Sequence, residues 1–241
     1  MTTESAPAGV RALTFDVFGT TMDWRNSIIR ELAAVGAAKG VQADWKKFAD
    51  AWRGGYGPSM NRVRSGELPW TNLDELHRLI LDQLLPQFGL AALDEAERRQ
   101  LNRAWHRLEP LPDAVPGLTR LKRRYIIATL SNGNVSLLLN MAKRAGLPWD
   151  TILSAELCRH YKYDPETYTM AAQLLGVGMD ELMMVAAHKG DLRAAHALGL
   201  KTAFVPRPNE YGGDRVVDLT PEPEFDLVAS DFVDLAAKLG A

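Results

Sequence analysis

The sequence predicts an α/β protein in which a doubly wound parallel sheet is interrupted, after its first strand, by an all-helical insertion. Three observations carry that class. Residues 11–18 (RALTFDVF) form a short apolar, β-branched run that ends in Asp16 and the Gly19-Thr20 turn, as a buried strand feeding a loop does. From Trp24 to Trp105 the apolar spacing is helical throughout, as in Leu73, Leu76, Ile80, Leu81 and Leu84 at intervals of three and four. Beyond Pro110, strand-like runs alternate with helical stretches.

The elements follow in order. Residues 1–9 are small and polar and are expected to be a flexible tail; they lack the apolar stretch of a signal peptide. The sheet domain is expected to comprise residues 10–22 and 106–241, with strands at 11–18, 125–130, 151–154, 182–187, 201–205 and 225–229. The helical block, residues 23–105, is expected to be a cap, because parallel strands normally recur after a single crossover helix and this gap is far longer. Ligands of open α/β sheets sit beyond the carboxyl ends of the strands, so the cap is expected to close over the loops after Phe15, Leu130 and Ala187.

Composition excludes several classes of function. The 241 residues are 46% hydrophobic and 24% charged with a formal net charge of -2, and Lys and Arg are scattered. A nucleic-acid partner is not expected, since phosphate binding needs a concentrated basic face. No apolar run is long enough to span a bilayer. The single cysteine, Cys158, precludes an internal disulfide and a multi-cysteine metal site, which suits a reducing compartment, so a cytoplasmic location is the default expectation.

Polar groups cluster behind the expected strands: Asp16 with Thr20, Ser131 to Asn134, Lys162, and His188 with Asp191. A carboxylate in a tight glycine-containing turn can attack an electrophilic carbon or phosphorus and form an ester that water then splits. Asp16 is the expected nucleophile. Thr20 orients it, and Ser131 and Asn132 can donate hydrogen bonds to an anionic substrate or to charge that develops during reaction. Lys162 supplies fixed positive charge, and Asp191 is a second carboxylate placed to hold Lys162 and to orient or deprotonate water.

The ordered set D-V-F-G-T at 16–20, S-N-G-N at 131–134, Lys162 and H-K-G-D at 188–191 resembles the four motifs of the haloacid dehalogenase superfamily, whose core is Rossmann-like. Within it the chain is similar to the type II branch, the 2-haloacid dehalogenases, through F-D-V-F-G-T, the Trp52-Arg53 pair, Tyr161-Lys162 and A-F-V-P-R-P at 203–208. The resemblance implies a short halocarboxylate as substrate, attacked by Asp16 with inversion and released by hydrolysis of an aspartyl ester. It further implies that Arg53 receives the departing halide. Ser131, Asn132, Thr20 and Lys162 would hold the nucleophile and the substrate carboxylate, Tyr168 would face the site, and Asp191 would activate water. L-selectivity and a homodimer are implied in the same way.

A magnesium-dependent phosphatase is the rival within the superfamily, and Phe18 separates the two. Phosphatases resemble D-x-D-x-T, whose second acid protonates an alkoxide leaving group. Here Phe18 stands at that position, and a halide leaves without protonation. Ala187 likewise stands where phosphatases carry a further magnesium ligand. Neither a metal nor another cofactor is therefore expected, because Asp16 and Asp191 alone are a poor octahedral site.

The chain departs from the dehalogenase pattern S-S-N-x-x-D at its fourth motif, which reads Ala186-Ala187-His188-Lys189-Gly190-Asp191, and has Tyr163 where the family has proline after the lysine. His188 either orients water beside Asp191 or narrows the halide pocket in favour of small haloacetates such as fluoroacetate. His77, His106, His160 and His196 are assigned no chemistry, and Cys158 is read as structural. Trp52 is expected in the cap core, the other tryptophans as packing anchors, and Tyr211-Gly212-Gly213 as a plain loop. A surface salt bridge is the alternative for Arg53.

Overall fold

The computed structural model describes residues 7–241, so residues 1–6 of the expected tail lie outside the described residues. A parallel six-stranded sheet has the order β5-β4-β1-β6-β7-β8, built from β1 (Ala12–Phe15), β4 (Ile126–Ser131), β5 (Thr151–Ser154), β6 (Leu182–Ala186), β7 (Lys201–Phe204) and β8 (Leu227–Val228). β1 pairs with β4 and with β6, in the registers Phe15↔Thr129 and Phe15↔Val185. The chain builds outward from β1 on one side through β4 and β5, then returns to build the other side through β6, β7 and β8. The strand order thus reverses at β1, and the crevice at such a switch point is where an open α/β sheet binds its ligand.

The strands are near-continuous apolar runs because both faces of a parallel sheet are covered. Ala12, Leu13 and Phe15 and all of Leu182 to Ala186 are fully buried. Phe15 packs at 5.2 Å against both Trp149 and Phe232, and each such buried side chain stabilises the fold by about 1.5–3 kcal/mol. Thr129 is a polar residue inside β4, and its hydroxyl is satisfied by donating to Leu153 O and accepting from Leu153 N. Helices α6 (Ala114–Leu121), α7 (Val135–Ala145), α8 (Pro165–Leu175) and α9 (Lys189–Ala197) alternate with the strands. Gly146 and Gly176 end α7 and α8 in the left-handed conformation that a glycine adopts without strain.

Two short strands, β2 (Met22–Asp23) and β3 (Glu109–Pro110), form an antiparallel ribbon where the chain leaves and re-enters the sheet unit. Periodicity could not reveal them, since two residues carry no alternation. The strand expected over 11–18 stops at Phe15, because Asp16 turns away toward the left-handed Gly19, at φ 83°.

Contacts divide the chain into this sheet unit, which takes in Glu109–Ala241, and a helical unit, Trp24–Leu108. The helical unit holds α1 (Trp24–Lys39), α2 (Trp45–Gly54), α3 (Tyr56–Arg64), α4 (Leu73–Leu84) and α5 (Glu95–Asn102). Asn72 with Glu75 and Asp94 with Glu97 make reciprocal capping boxes at the starts of α4 and α5, each cap contributing about 1 kcal/mol. The periodic residues Leu73, Leu76, Ile80, Leu81 and Leu84 are all buried, together with Phe48, Trp52 and Trp105. Among the described residues, no helix is long and apolar enough to cross a membrane.

Candidate active site

Asp16 follows the last residue of β1, and its backbone N–H still donates to Val185 O at 2.9 Å. The turn behind it folds back on the carboxylate. Thr21 Oγ1 donates to Asp16 O at 2.8 Å, and Thr20 Oγ1 donates to Asp16 Oδ2 at 2.7 Å while accepting from Ala187 N at 3.0 Å. The incoming Ala187 bond fixes which way the Thr20 hydroxyl points. Arg207 pins the same turn: Nε donates to Thr20 O, and the guanidinium forks onto Asp113 at 2.9 and 2.7 Å.

The loop after β4 is braced in the same manner. Gly133 N donates to Ser131 Oγ, Ser154 Oγ donates to Gly133 O, and Glu156 accepts from Val135 N at the start of α7. Asn132 Oδ1 accepts from the backbone N–H of Lys162 at 2.7 Å. A Cβ on Gly133 would lie 3.2 Å from the Phe18 ring, so the missing side chain makes room for that ring.

Lys162 is buried, and its ammonium donates to Leu130 O at 2.8 Å and Asp16 Oδ1 at 3.0 Å and pairs with Asp191 Oδ2. Tyr168 donates to Asp191 Oδ1 at 2.6 Å. On the other side of Asp16, His188 Nδ1 lies 3.0 Å from Oδ2, and its Nε2 lies 3.1 and 3.2 Å from the two oxygens of Glu210, whose side chain is only 4% exposed.

These contacts set the charges. Burial would raise the Asp16 carboxyl, but the Lys162 ammonium and the His188 and Thr20 hydrogen bonds hold it far below the usual carboxylate range. Burial would likewise strip the proton from Lys162, yet Asp16 and Asp191 keep it charged. Asp191 stays above its ordinary value, because burial and the Asp16 charge outweigh Lys162 and Tyr168. Against burial, the bonds to Asp16 and Glu210 push His188 up to about 10. The result is an ionised Asp16 carboxylate beside a second carboxylate that is a stronger base than usual.

The sheet unit therefore brings Asp16, Thr20, Asn132, Lys162, Tyr168, His188 and Asp191 into one hydrogen-bonded network, with Ser131 and Phe18 on its bracing loops. Tyr168 enters it through Asp191. Arg53 belongs to the helical unit, where its guanidinium lies 4.4 Å from the Tyr56 ring centroid and 5.8 Å from that of Trp24. Its Nε is buried with no hydrogen-bond partner among the described residues, an arrangement suited to receiving an anion rather than to a surface salt bridge. Glu210 and Arg207 were not singled out by sequence reasoning. Arg207 lies in the A-F-V-P-R-P stretch, and the trace of Glu210 is Gly19, where a Cβ would sit 2.2 Å from Glu210 Oε1.

A divalent cation does not fit this donor set. Both oxygens of Asp16 already accept from Lys162, Thr20 and His188, and among the described residues no three His, Cys, Asp or Glu side chains are grouped as metal ligands.

A parallel sheet reversing at β1, a carboxylate at the end of that strand and a helical unit inserted directly after it define a hydrolase of the haloacid dehalogenase type. Residues 10–199 match the family of haloacid dehalogenase-like hydrolases, and the chain belongs to that family. It is similar to (S)-2-haloacid dehalogenase 4A of Burkholderia cepacia, with 31% identity over 218 residues, 84% of this chain and 87% of the relative. The crystal structure of a defluorinating L-2-haloacid dehalogenase matches with a TM-score of 0.94 and 48% identity, covering 98% of this chain and 99% of that one. A second L-2-haloacid dehalogenase structure matches with a TM-score of 0.90, also at 48% identity, covering 96% of this chain and all of the other.

Proposed function

We propose that the protein hydrolyses short 2-haloacids, haloacetates and L-2-halopropionate, to 2-hydroxyacids and halide through an ester on Asp16. One observation carries this reading: Asp16 is held ionised at the switch point by Lys162, Thr20 and His188, while Phe18 occupies the place of a leaving-group acid. The similarity to enzymes named for 2-haloacids and for defluorination supports the substrate class.

Asp16 Oδ2 accepts two hydrogen bonds and Oδ1 one, so Oδ1 keeps the freer lone pair and attacks the carbon bearing the halogen. The halide leaves with the bonding pair and is taken by Arg53. Ser131 and Asn132 receive the substrate carboxylate, while Lys162 holds the nucleophile. Asp191, oriented by Tyr168 and Lys162, then takes a proton from water as it adds to the Asp16 carboxyl carbon, and returns that proton to the departing 2-hydroxyacid oxygen. The water oxygen stays on Asp16 and its second proton goes to solvent. No metal takes part, fluoroacetate is among the substrates, and the enzyme works in the cytoplasm as a homodimer.

Halide release from chloroacetate, fluoroacetate and each enantiomer of 2-chloropropionate, measured in EDTA with wild type and Asp16→Asn side by side, tests the reading. Release that survives EDTA and is lost in the variant supports it. No release from any of the four, with magnesium-dependent turnover of phosphate esters instead, would replace it with the phosphatase reading.

A further inference from the structure

Asp16 Oδ2 is bound by two protein donors, Thr20 Oγ1 and His188 Nδ1, that make no contact with Oδ1, the oxygen alkylated in the proposed first step. In the ester, Oδ2 is the carbonyl oxygen. When water adds to the carboxyl carbon, the negative charge that develops lands on Oδ2, 2.7 Å from the Thr20 hydroxyl and 3.0 Å from His188 Nδ1. Donors already in place where charge will appear are the form that oxyanion stabilisation takes in acyl transfer.

We propose that Thr20 and a positively charged His188 form the oxyanion hole for hydrolysis of the aspartyl ester, and that Glu210 is the positioning residue that keeps His188 charged during that step. The proposal rests on the ester mechanism above and concerns its second half.

The need for Glu210 follows from the charge balance. Before reaction, His188 faces two carboxylates, Asp16 and Glu210, with Lys162 and Asp191 on the far side of Asp16. Alkylation removes the Asp16 charge at the moment the donor is required. Glu210 alone then opposes the burial that would strip the proton from the imidazole. Its carboxylate reaches both of its oxygens to Nε2, so the ring is held as a double donor and cannot act as a base. The site is built around this contact, since the bare Gly19 leaves the volume that Glu210 Oε1 occupies.

The step balances without a further reactant. Water adds to the Asp16 carboxyl carbon, Asp191 takes its proton, and the carbonyl pair moves onto Oδ2. The pair then returns, breaking the bond between the carboxyl carbon and Oδ1; Oδ1 leaves as the hydroxyl oxygen of the 2-hydroxyacid with the proton from Asp191, and the second proton of the water goes to solvent. His188 donates hydrogen bonds throughout and transfers no proton.

Rapid-quench mass spectrometry with chloroacetate separates alkylation of Asp16 from hydrolysis of the ester. In His188→Ala, which removes the donor, we expect hydrolysis to slow by about 100-fold or more, the usual loss for one oxyanion donor, with alkylation slowed by less than about 10-fold, so that the ester accumulates. In Glu210→Gln, hydrolysis is expected to be slow at about pH 8 and to recover progressively as the pH falls below about 6.5, because burial places an unsupported imidazole below its free value. Glu210→Asp is expected to restore part of the rate at about pH 8. A wild-type hydrolysis rate that climbs as His188 loses its proton would make the histidine a base and overturn the proposal. Equal slowing of alkylation and hydrolysis in both variants, with no recovery in acid, would reduce the contact to a structural one. Failure of the wild type to form any Asp16 adduct would instead strike the ester mechanism beneath it.

Discussion

The Lys162 ammonium bonds Asp16 Oδ1 at 3.0 Å and pairs with Asp191 at the same time, so one buried cation holds both carboxylates of the site. The lysine follows β5 and the carboxylates follow β1 and β6. The contact therefore ties together segments that follow three strands of the sheet, and Asp16 depends on it for both its ionisation and its aim.

Lys162→Met leaves Asp191 buried without its counter-charge and Asp16 with His188 alone opposite it. Stripping one partner from a buried ion pair costs about 3–5 kcal/mol. We expect a loss of that order in urea unfolding at neutral pH, together with loss of halide release. Retention of wild-type stability would show that the pair is not buried as described.

Tyr168→Phe removes the hydrogen bond to Asp191 Oδ1 but keeps the ring. A hydrogen bond to a charged group is worth about 1.5–3 kcal/mol. We expect about a 10- to 100-fold fall in kcat with KM falling in step and kcat/KM little changed, because in the proposed mechanism Asp191 acts on the ester after the halide has left. A rise in KM at constant kcat would place Tyr168 against the substrate instead.

Gly19→Ala meets two obstacles, a φ of 83° and the Glu210 carboxylate 2.2 Å from the new Cβ. The left-handed conformation costs about 1 kcal/mol for a residue with a side chain. Displacement of Glu210 adds the defect of Glu210→Gln, so ester hydrolysis is expected to fall more than stability does. An Ala variant with unchanged turnover would contradict the close packing seen here.

Two histidines set opposite pH dependences. His188 is pushed up to about 10 by Asp16 and Glu210 against burial, so the folded state holds a proton that the unfolded chain releases above about 6.5. Its contribution is complete below about 6.5 and falls by at most about 1.4 kcal/mol per pH unit as pH rises toward 10. Burial in the helical unit, aided by Arg53 and opposed by Asp74, pushes His77 down to about 3. Its neutral form stabilises the fold above about 6.5, and that contribution is lost as pH falls toward 3. Unfolding free energy measured from acid to alkali is expected to lose its alkaline slope in His188→Asn and part of its acid slope in His77→Phe; unchanged slopes would show that neither proton is linked to folding.

The sheet was legible because a buried parallel strand leaves a bare apolar run, and 182–187 or 201–205 can hardly be anything else. The ordering of Asp16, Ser131, Lys162 and Asp191 behind successive strands made the site legible as a set of loop ends. What escaped was contact between distant segments. Nothing local marks Glu210, in a turn-rich loop after β7, as the partner of His188, or Arg207 as the clamp on Thr20. Tyr168 was expected to face the site, but only its distance to Asp191 shows which member it supports. The ribbon of Met22–Asp23 with Glu109–Pro110 is too short to carry a period.

In the proposed mechanism water attacks the Asp16 carboxyl carbon and never the substrate carbon. A single turnover with enzyme in excess over chloroacetate, run in ¹⁸O-labelled water, tests it directly. Label is expected in the peptide that carries Asp16, together with unlabelled glycolate. Labelled glycolate with an unlabelled Asp16 peptide would mean direct displacement by water, and would contradict it.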